Sequence, residues 1–165
     1  MFNKYSTHWT RFAVKAMVPS ILLVLIATQV LAASSCKKVK GKFTLQAFAG
    51  PECTSAVGIC ANGTFSGDFA GTSVFIGSSL LPTIDTPATA VVFLTGDTTF
   101  TTNSGTFFTK DAISLNTTGK GEFAELDTIV GGTGAWAGST GRFTATGTFI
   151  DGSGEGAYSG EVCVP

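Results

Sequence analysis

An all-β fold, a meander barrel of about eight strands, is what this sequence predicts, and three observations predict it. Apolar residues recur with a period of two: Phe143, Ala145, Gly147 and Phe149 alternate with Arg142, Thr144, Thr146 and Thr148. Strand-like segments of even spacing are separated by short polar turns, as at Asn103-Ser104-Gly105 and from Asn116 to Lys120. After residue 33 no stretch has helical periodicity, and the abundance of Gly and Thr suits an antiparallel meander better than a parallel sheet.

Residues 1–33 stand apart from this pattern. Lys4, Arg11 and Lys15 precede an apolar run from Ile21 to Leu31, followed by Ala32 and Ala33. The run is shorter than the about 20 residues that span a bilayer, so a secretory signal peptide is expected over 1–33, with a single barrel domain over 34–165. The expected location is secreted or extracytoplasmic, and the mature chain is not expected to be embedded in a membrane. The first strand opens at Lys37, with Val39, Gly41, Phe43, Leu45 and Ala47 on one face and Lys38, Lys40, Lys42, Thr44 and Gln46 on the other. Ile59 to Gly77 carries Phe65, Gly67, Phe69, Gly71 and Phe75 in alternation and reads as two strands or one strongly bent strand. Ser78 to Pro87, with Pro82 and Pro87, reads as the longest irregular connection. In the strand that follows, Val91, Val92, Phe93 and Leu94 place apolar side chains on both faces, so a surface outside the barrel needs cover. A homo-oligomer held through these four residues is one expectation, and cover from the preceding loop is the other. Thr106 to Leu115 and Gly121 to Val130 are the next strands. Asp151 to Gly156 is then expected to turn the chain into a last strand over Ala157 to Val164.

Between two of these strands lies the connection Gly131-Gly132-Thr133-Gly134-Ala135-Trp136-Ala137-Gly138. Its glycines are expected to supply positive φ at a hairpin. A GxGxxA dinucleotide pattern overlaps it, but no helix N-terminus follows to hold a pyrophosphate. A strand running into GGTG, with an aromatic two residues later and a small residue and Gly before the next strand, resembles the hallmark of the allene oxide cyclase and dirigent barrel superfamily. The upstream run GTFFTKDAISL extends the resemblance over Gly105 to Phe149. It implies a closed eight-stranded antiparallel barrel whose members act without cofactor, steering a reactive intermediate by shape, water and a few carboxylates. Only Gly131, Gly132, Thr133 and Gly134, with Trp136 in the aromatic place, map onto the motif. Thr140 stands before Gly141 where dirigent proteins have Arg, so the fold carries over and the catalytic set does not.

Cys36, Cys53, Cys60 and Cys163 allow three disulfide pairings. Cys53 with Cys60 across a short loop, and Cys36 with Cys163 between neighbouring terminal strands of a closed barrel, are the expected pair. Without the leader, seven Lys and Arg remain against eleven Asp and Glu, a formal charge of −4, which argues against nucleic acid as partner. No His remains either, which removes Ser-His-Asp and Cys-His catalysis and histidine-bound zinc. No metal and no cofactor is expected. Asp151, Ser153 and Glu155 resemble half a calcium loop, but Val162 stands where a bidentate Glu is needed.

The candidates for chemistry are polar residues within apolar strands: Asp97, Lys110, Asp111, Glu125, Asp127 and Arg142. Glu125 and Asp127 share a face with Phe123 and Ile129. If that face points inward, burial raises both pKa values towards acid chemistry. The competing reading turns Ala124, Leu126 and Val130 inward and leaves both acids in water, as charged residues usually are. Asp97, Glu125, Asp127, Trp136, Arg142 and Tyr158 are the candidate lumen residues, with Trp136 and Tyr158 flanking a barrel mouth or Trp136 packing across its own turn. Two functions follow. One is a secreted barrel that binds a small apolar or phenolic molecule, or plays a structural role, without catalysis. The other is a cofactor-independent cyclase or isomerase acting inside the barrel.

Overall fold

The computed structural model describes residues 35–82 and 91–165, so the signal peptide expected over 1–33 lies outside the described residues. Eight strands run β1 (Ser35–Phe48), β2 (Cys60–Gly67), β3 (Gly71–Pro82), β4 (Val91–Thr102), β5 (Gly105–Asn116), β6 (Glu122–Gly132), β7 (Thr140–Ile150) and β8 (Ser153–Val164). Each pairs antiparallel with its neighbour in sequence, and β8 closes on β1, so the barrel has no free edge. Closure sets Cys36 directly opposite Cys163, where they form a disulfide. Cys53 and Cys60 form the second, so the expected pairing holds for all four cysteines.

The alternation read from the sequence becomes inside and outside. On β1 Val39 and Phe43 are buried while Lys38, Lys40 and Lys42 are exposed. Ile59 to Gly77 resolves into two strands joined at Gly67–Gly71, and Phe69 in that turn folds back into the lumen at 1 % exposure. Ser78 to Pro82 is strand, not irregular connection. A register shift between Gly77 and Ser79 absorbs one residue and lets β3 continue beside β4. The remainder of that connection, 83–90, lies outside the described residues. The last strand starts at Ser153, earlier than expected, because Asp151 and Gly152 both take positive φ (50° and 78°) and close a two-residue turn.

Val91 to Leu94 is two-faced, as read. Leu94 is buried, whereas Phe93 stays 49 % exposed opposite Leu81 on the outer surface. Elsewhere the outward positions of β1, β7 and β8 are dominated by Lys, Thr, Ser, Arg and Glu.

The barrel is packed unevenly along its axis. At the end carrying the β2–β3, β4–β5 and β6–β7 connections, rings fill the lumen. Phe69 stacks on Tyr158 at 4.8 Å, Phe100 on Phe107 at 4.5 Å, and Phe143 meets Phe69 edge-on at 5.0 Å. Each buried Phe stabilises by about 1.5–3 kcal/mol, with a further ~0.5–1.5 kcal/mol for each well-placed ring pair. Room for rings of this size comes from glycine on adjacent strands: Phe143 lies opposite Gly160 and Phe43 opposite Gly156.

The β6–β7 connection seals this end. A single 3-10 turn, Gly134–Trp136, folds Trp136 inward against Phe107 and Phe69, and its Nε1 donates to Thr102 Oγ1 at 3.0 Å. Gly131 and Gly134 have the expected positive φ of 148° and 61°, but Gly132 does not. What Gly132 supplies is closeness, since a Cβ there would lie 2.6 Å from Thr106 O and from Trp136 Cβ. Gly134 needs both its φ and its space, its Cβ site being 2.5 Å from Ser104 O. Replacing Gly134 with Ala is therefore expected to cost on the order of 1–3 kcal/mol. Denaturant unfolding checks this, and an unchanged midpoint would contradict it.

Candidate functional site

Above the ring cluster the rings stop and a cavity of about 530 Å³ begins. It reaches the opposite end of the barrel, where Phe48, Ala49, Gly58 and Ile59 of the β1–β2 connection and Leu80 and Val92 of β3 and β4 line it. Its walls are apolar, including Phe43, Phe75, Phe123 and Ala145. The exceptions are Glu125, Asp127, Thr98 and Ser73.

Strand parity puts the acids there. Phe123, Asp127 and Ile129 of β6 are buried and Ala124, Leu126 and Val130 are exposed, so the reading that left Glu125 and Asp127 in water is overturned. Register then adds a third acid. On β5, Asp111 stands directly opposite Asp127, and Ile113 opposite Glu125. Asp111 and Asp127 are 4 % and 2 % exposed, while Glu125 is partly covered because it meets the cavity. Carboxylate oxygens of all three lie within 4.8 Å of one another. Thr98 Oγ1 donates to Asp111 Oδ2 at 2.6 Å.

Three acids this close cannot all ionise in an apolar lumen. Burial raises Asp127 well above the usual carboxylate range, and the charges of Glu125 and Asp111 and a hydrogen bond to Asp111 raise it further. Glu125 is pushed up to about 8, first by burial and then by the charge of Asp111. Asp111 is raised by burial, but the bond from Thr98 and the neighbouring Thr109 hydroxyl and Asp127 carboxyl oppose the rise. Asp111, the acid whose rise is opposed, is therefore the first of the three to ionise, while burial favours the protonated forms of Asp127 and Glu125.

The remaining candidates lie elsewhere. Asp97 and Arg142 are corrected to the outside: Asp97 pairs with Lys110 across the outer face of β4 and β5, and Arg142 is exposed, because both fall on the parity opposite to the buried positions of their strands. Trp136 and Tyr158 face inward but belong to the sealed end, not to a mouth, and Trp136 packs on rings of other strands beyond its own turn. The Tyr158 hydroxyl accepts from Phe69 N at 2.7 Å and donates to Ser66 O at 3.0 Å, which occupies it structurally. Thr98, Thr109 and Ser73 were not among the candidates. Each lies two residues from Phe100, Phe107 or Phe75 on the same strand face, which is the signal that points them inward.

No protein-family profile matches the chain. No curated protein matches it in sequence. Among solved structures, a pterocarpan synthase dirigent protein is similar over 80 % of this chain and 86 % of its own, at 14 % identity and a TM-score of 0.35.

The acids also set a pH dependence. Their folded-state pKa values lie above the ordinary values of 3.8 for Asp and 4.5 for Glu, so between those values and about 8 the folded protein binds more protons than the unfolded one. Stability is therefore expected to fall as pH rises through that window. Melting curves across the window check it, and the fall should flatten in Glu125→Gln. A wild type that gains stability over the same range would contradict the burial of the three acids.

Proposed function

We propose that this protein is an exported barrel that binds one small, largely apolar molecule in its lumen, with the ligand's polar end held at the carboxyl cluster. The observation that carries this is the half-filled lumen, in which an apolar cavity of about 530 Å³ ends on Glu125 and Asp127, with Asp111 buried beside them. Ligand sites of about 300–1,000 Å³ with apolar walls and a few placed polar groups are the usual form. A purely structural barrel would have no need to leave such a volume unfilled, since unfilled apolar space costs stability. A phenol suits the site, because its ring matches the Phe-lined wall and its hydroxyl can donate to, or accept from, the carboxyl groups of Glu125 and Asp127 that meet the cavity. Export is supported by two disulfides and by the leader-like composition of residues 1–33.

A second reading, cofactor-independent isomerisation or cyclisation, rests on the burial that raises the proton affinity of Asp127 and Glu125. A carboxylic acid kept neutral in an apolar cavity can donate to a developing oxyanion and take the proton back.

Fluorescence titration with 1-naphthol tests the binding reading. One saturable site is expected. Ala145→Leu, which fills the wall of the cavity, should weaken binding roughly tenfold or more while circular dichroism remains that of the wild type. Absence of saturable binding, or binding indifferent to Ala145→Leu, would remove the lumen as the site.

A further inference from the structure

We infer that the lumen's ligand is cationic: a small amine whose ammonium sits between Glu125 and Asp127, with its apolar body lying against Phe123, Phe143 and the cavity wall. This rests on the lumen-binding reading above and names the ligand's chemistry.

The first argument is the charge inventory. Every Lys and Arg among the described residues is exposed. Around the cluster, β4 contributes Thr98, β7 contributes Phe143 and Ala145, β3 contributes Ser73, and β5 and β6 contribute Asp111, Glu125 and Asp127. Asp97, whose charge acts on Asp111 from outside, pairs with Lys110 on the outer face. Tyr158 hydrogen-bonds within the sealed end. Three acids are thus gathered in the lumen with no protein cation to balance them. Buried acids are ordinarily paired with a cation.

The second argument is unsatisfied capacity. Asp127 lines the cavity at 2 % exposure, and its Oδ2 has no donor. Asp111 Oδ1 and Thr109 Oγ1, equally buried, have none either. One proton shared between Asp111 and Asp127 serves two of these atoms and leaves Glu125 with its own proton. An ammonium brings three donors and a charge at once, and the displaced proton leaves to solvent.

The third argument separates an organic cation from a metal ion. Calcium takes six to eight oxygens, about the whole polar complement of this lumen, and gains nothing from the apolar wall. An alkylammonium uses both, because its methylenes contact the wall and its charge lies near the rings of Phe123 and Phe143. The burial that raises the acids also favours a cation that can share their field.

Calorimetry on the full mature protein tests this with three probes: 4-phenylbutylamine, the neutral 4-phenylbutanol with the same body, and calcium chloride. The amine is expected to bind roughly tenfold or more tightly than the alcohol near pH 7.5. The advantage should widen towards about pH 9, as Glu125 loses its proton while the ammonium keeps its own. Titrations in two buffers of different ionisation enthalpy should register proton release for the amine and none for the alcohol. In Asp127→Asn and in Glu125→Gln the advantage should shrink while alcohol binding persists. Equal affinity for amine and alcohol in the wild type overturns the inference and leaves the binding reading intact. Calcium binding that displaces the amine overturns it in favour of a metal site. If neither organic probe binds, the binding reading falls and this inference with it.

Discussion

The ring cluster across one end of the barrel is the interaction on which the rest depends. Phe69, Phe100, Phe107, Phe143, Trp136 and Tyr158 arrive from four strands and two connections and meet within ring-contact distance. Their packing fixes where the β2–β3 turn folds back, which way Trp136 points, and how far up the axis the lumen is filled. Because inward positions are shared out by strand parity, material concentrated at one end is missing from the other. The cavity follows from that imbalance.

The same parity makes the acids a site. β6 must turn Phe123 and Ile129 inward, and Glu125 and Asp127 lie between them on the same face. Antiparallel register then sets Asp111 against Asp127. Like charges directly opposite on neighbouring strands oppose pairing, and the raised pKa values of the cluster favour the protonated forms that relieve it. A strand pair whose backbone is held by its neighbours on both sides can tolerate such a cluster, and closure of the barrel supplies that support.

Much of the fold was legible from residue order. Period-two alternation located the strands, and the cysteine spacing together with closure located both disulfides. The errors have physical causes. β3 runs on through Ser78 to Pro82 because a bulge realigns it with β4, and a bulge leaves little trace in a hydrophobic pattern. The direction of Glu125 and Asp127 was open because both faces of β6 carry apolar residues, Phe123 and Ile129 against Leu126 and Val130. Tertiary pairing decided it. Asp97 and Arg142 looked alike in sequence to the buried acids, and only their place relative to Thr98 and Phe143 distinguishes them. Which half of the lumen the Phe residues fill depends on strand stagger, which no single segment encodes.

Carboxyl-carbon NMR titration of the folded protein tests the central claim most directly, since it reads each acid by itself. The account predicts that Glu125 titrates at about 8, that Asp127 titrates well above the ordinary carboxylate range, and that Asp111 is also raised but is the first of the three to ionise. Ordinary values near about 4 for all three would mean that water reaches them freely. The account of the lumen as an apolar, acid-floored cavity would then be wrong.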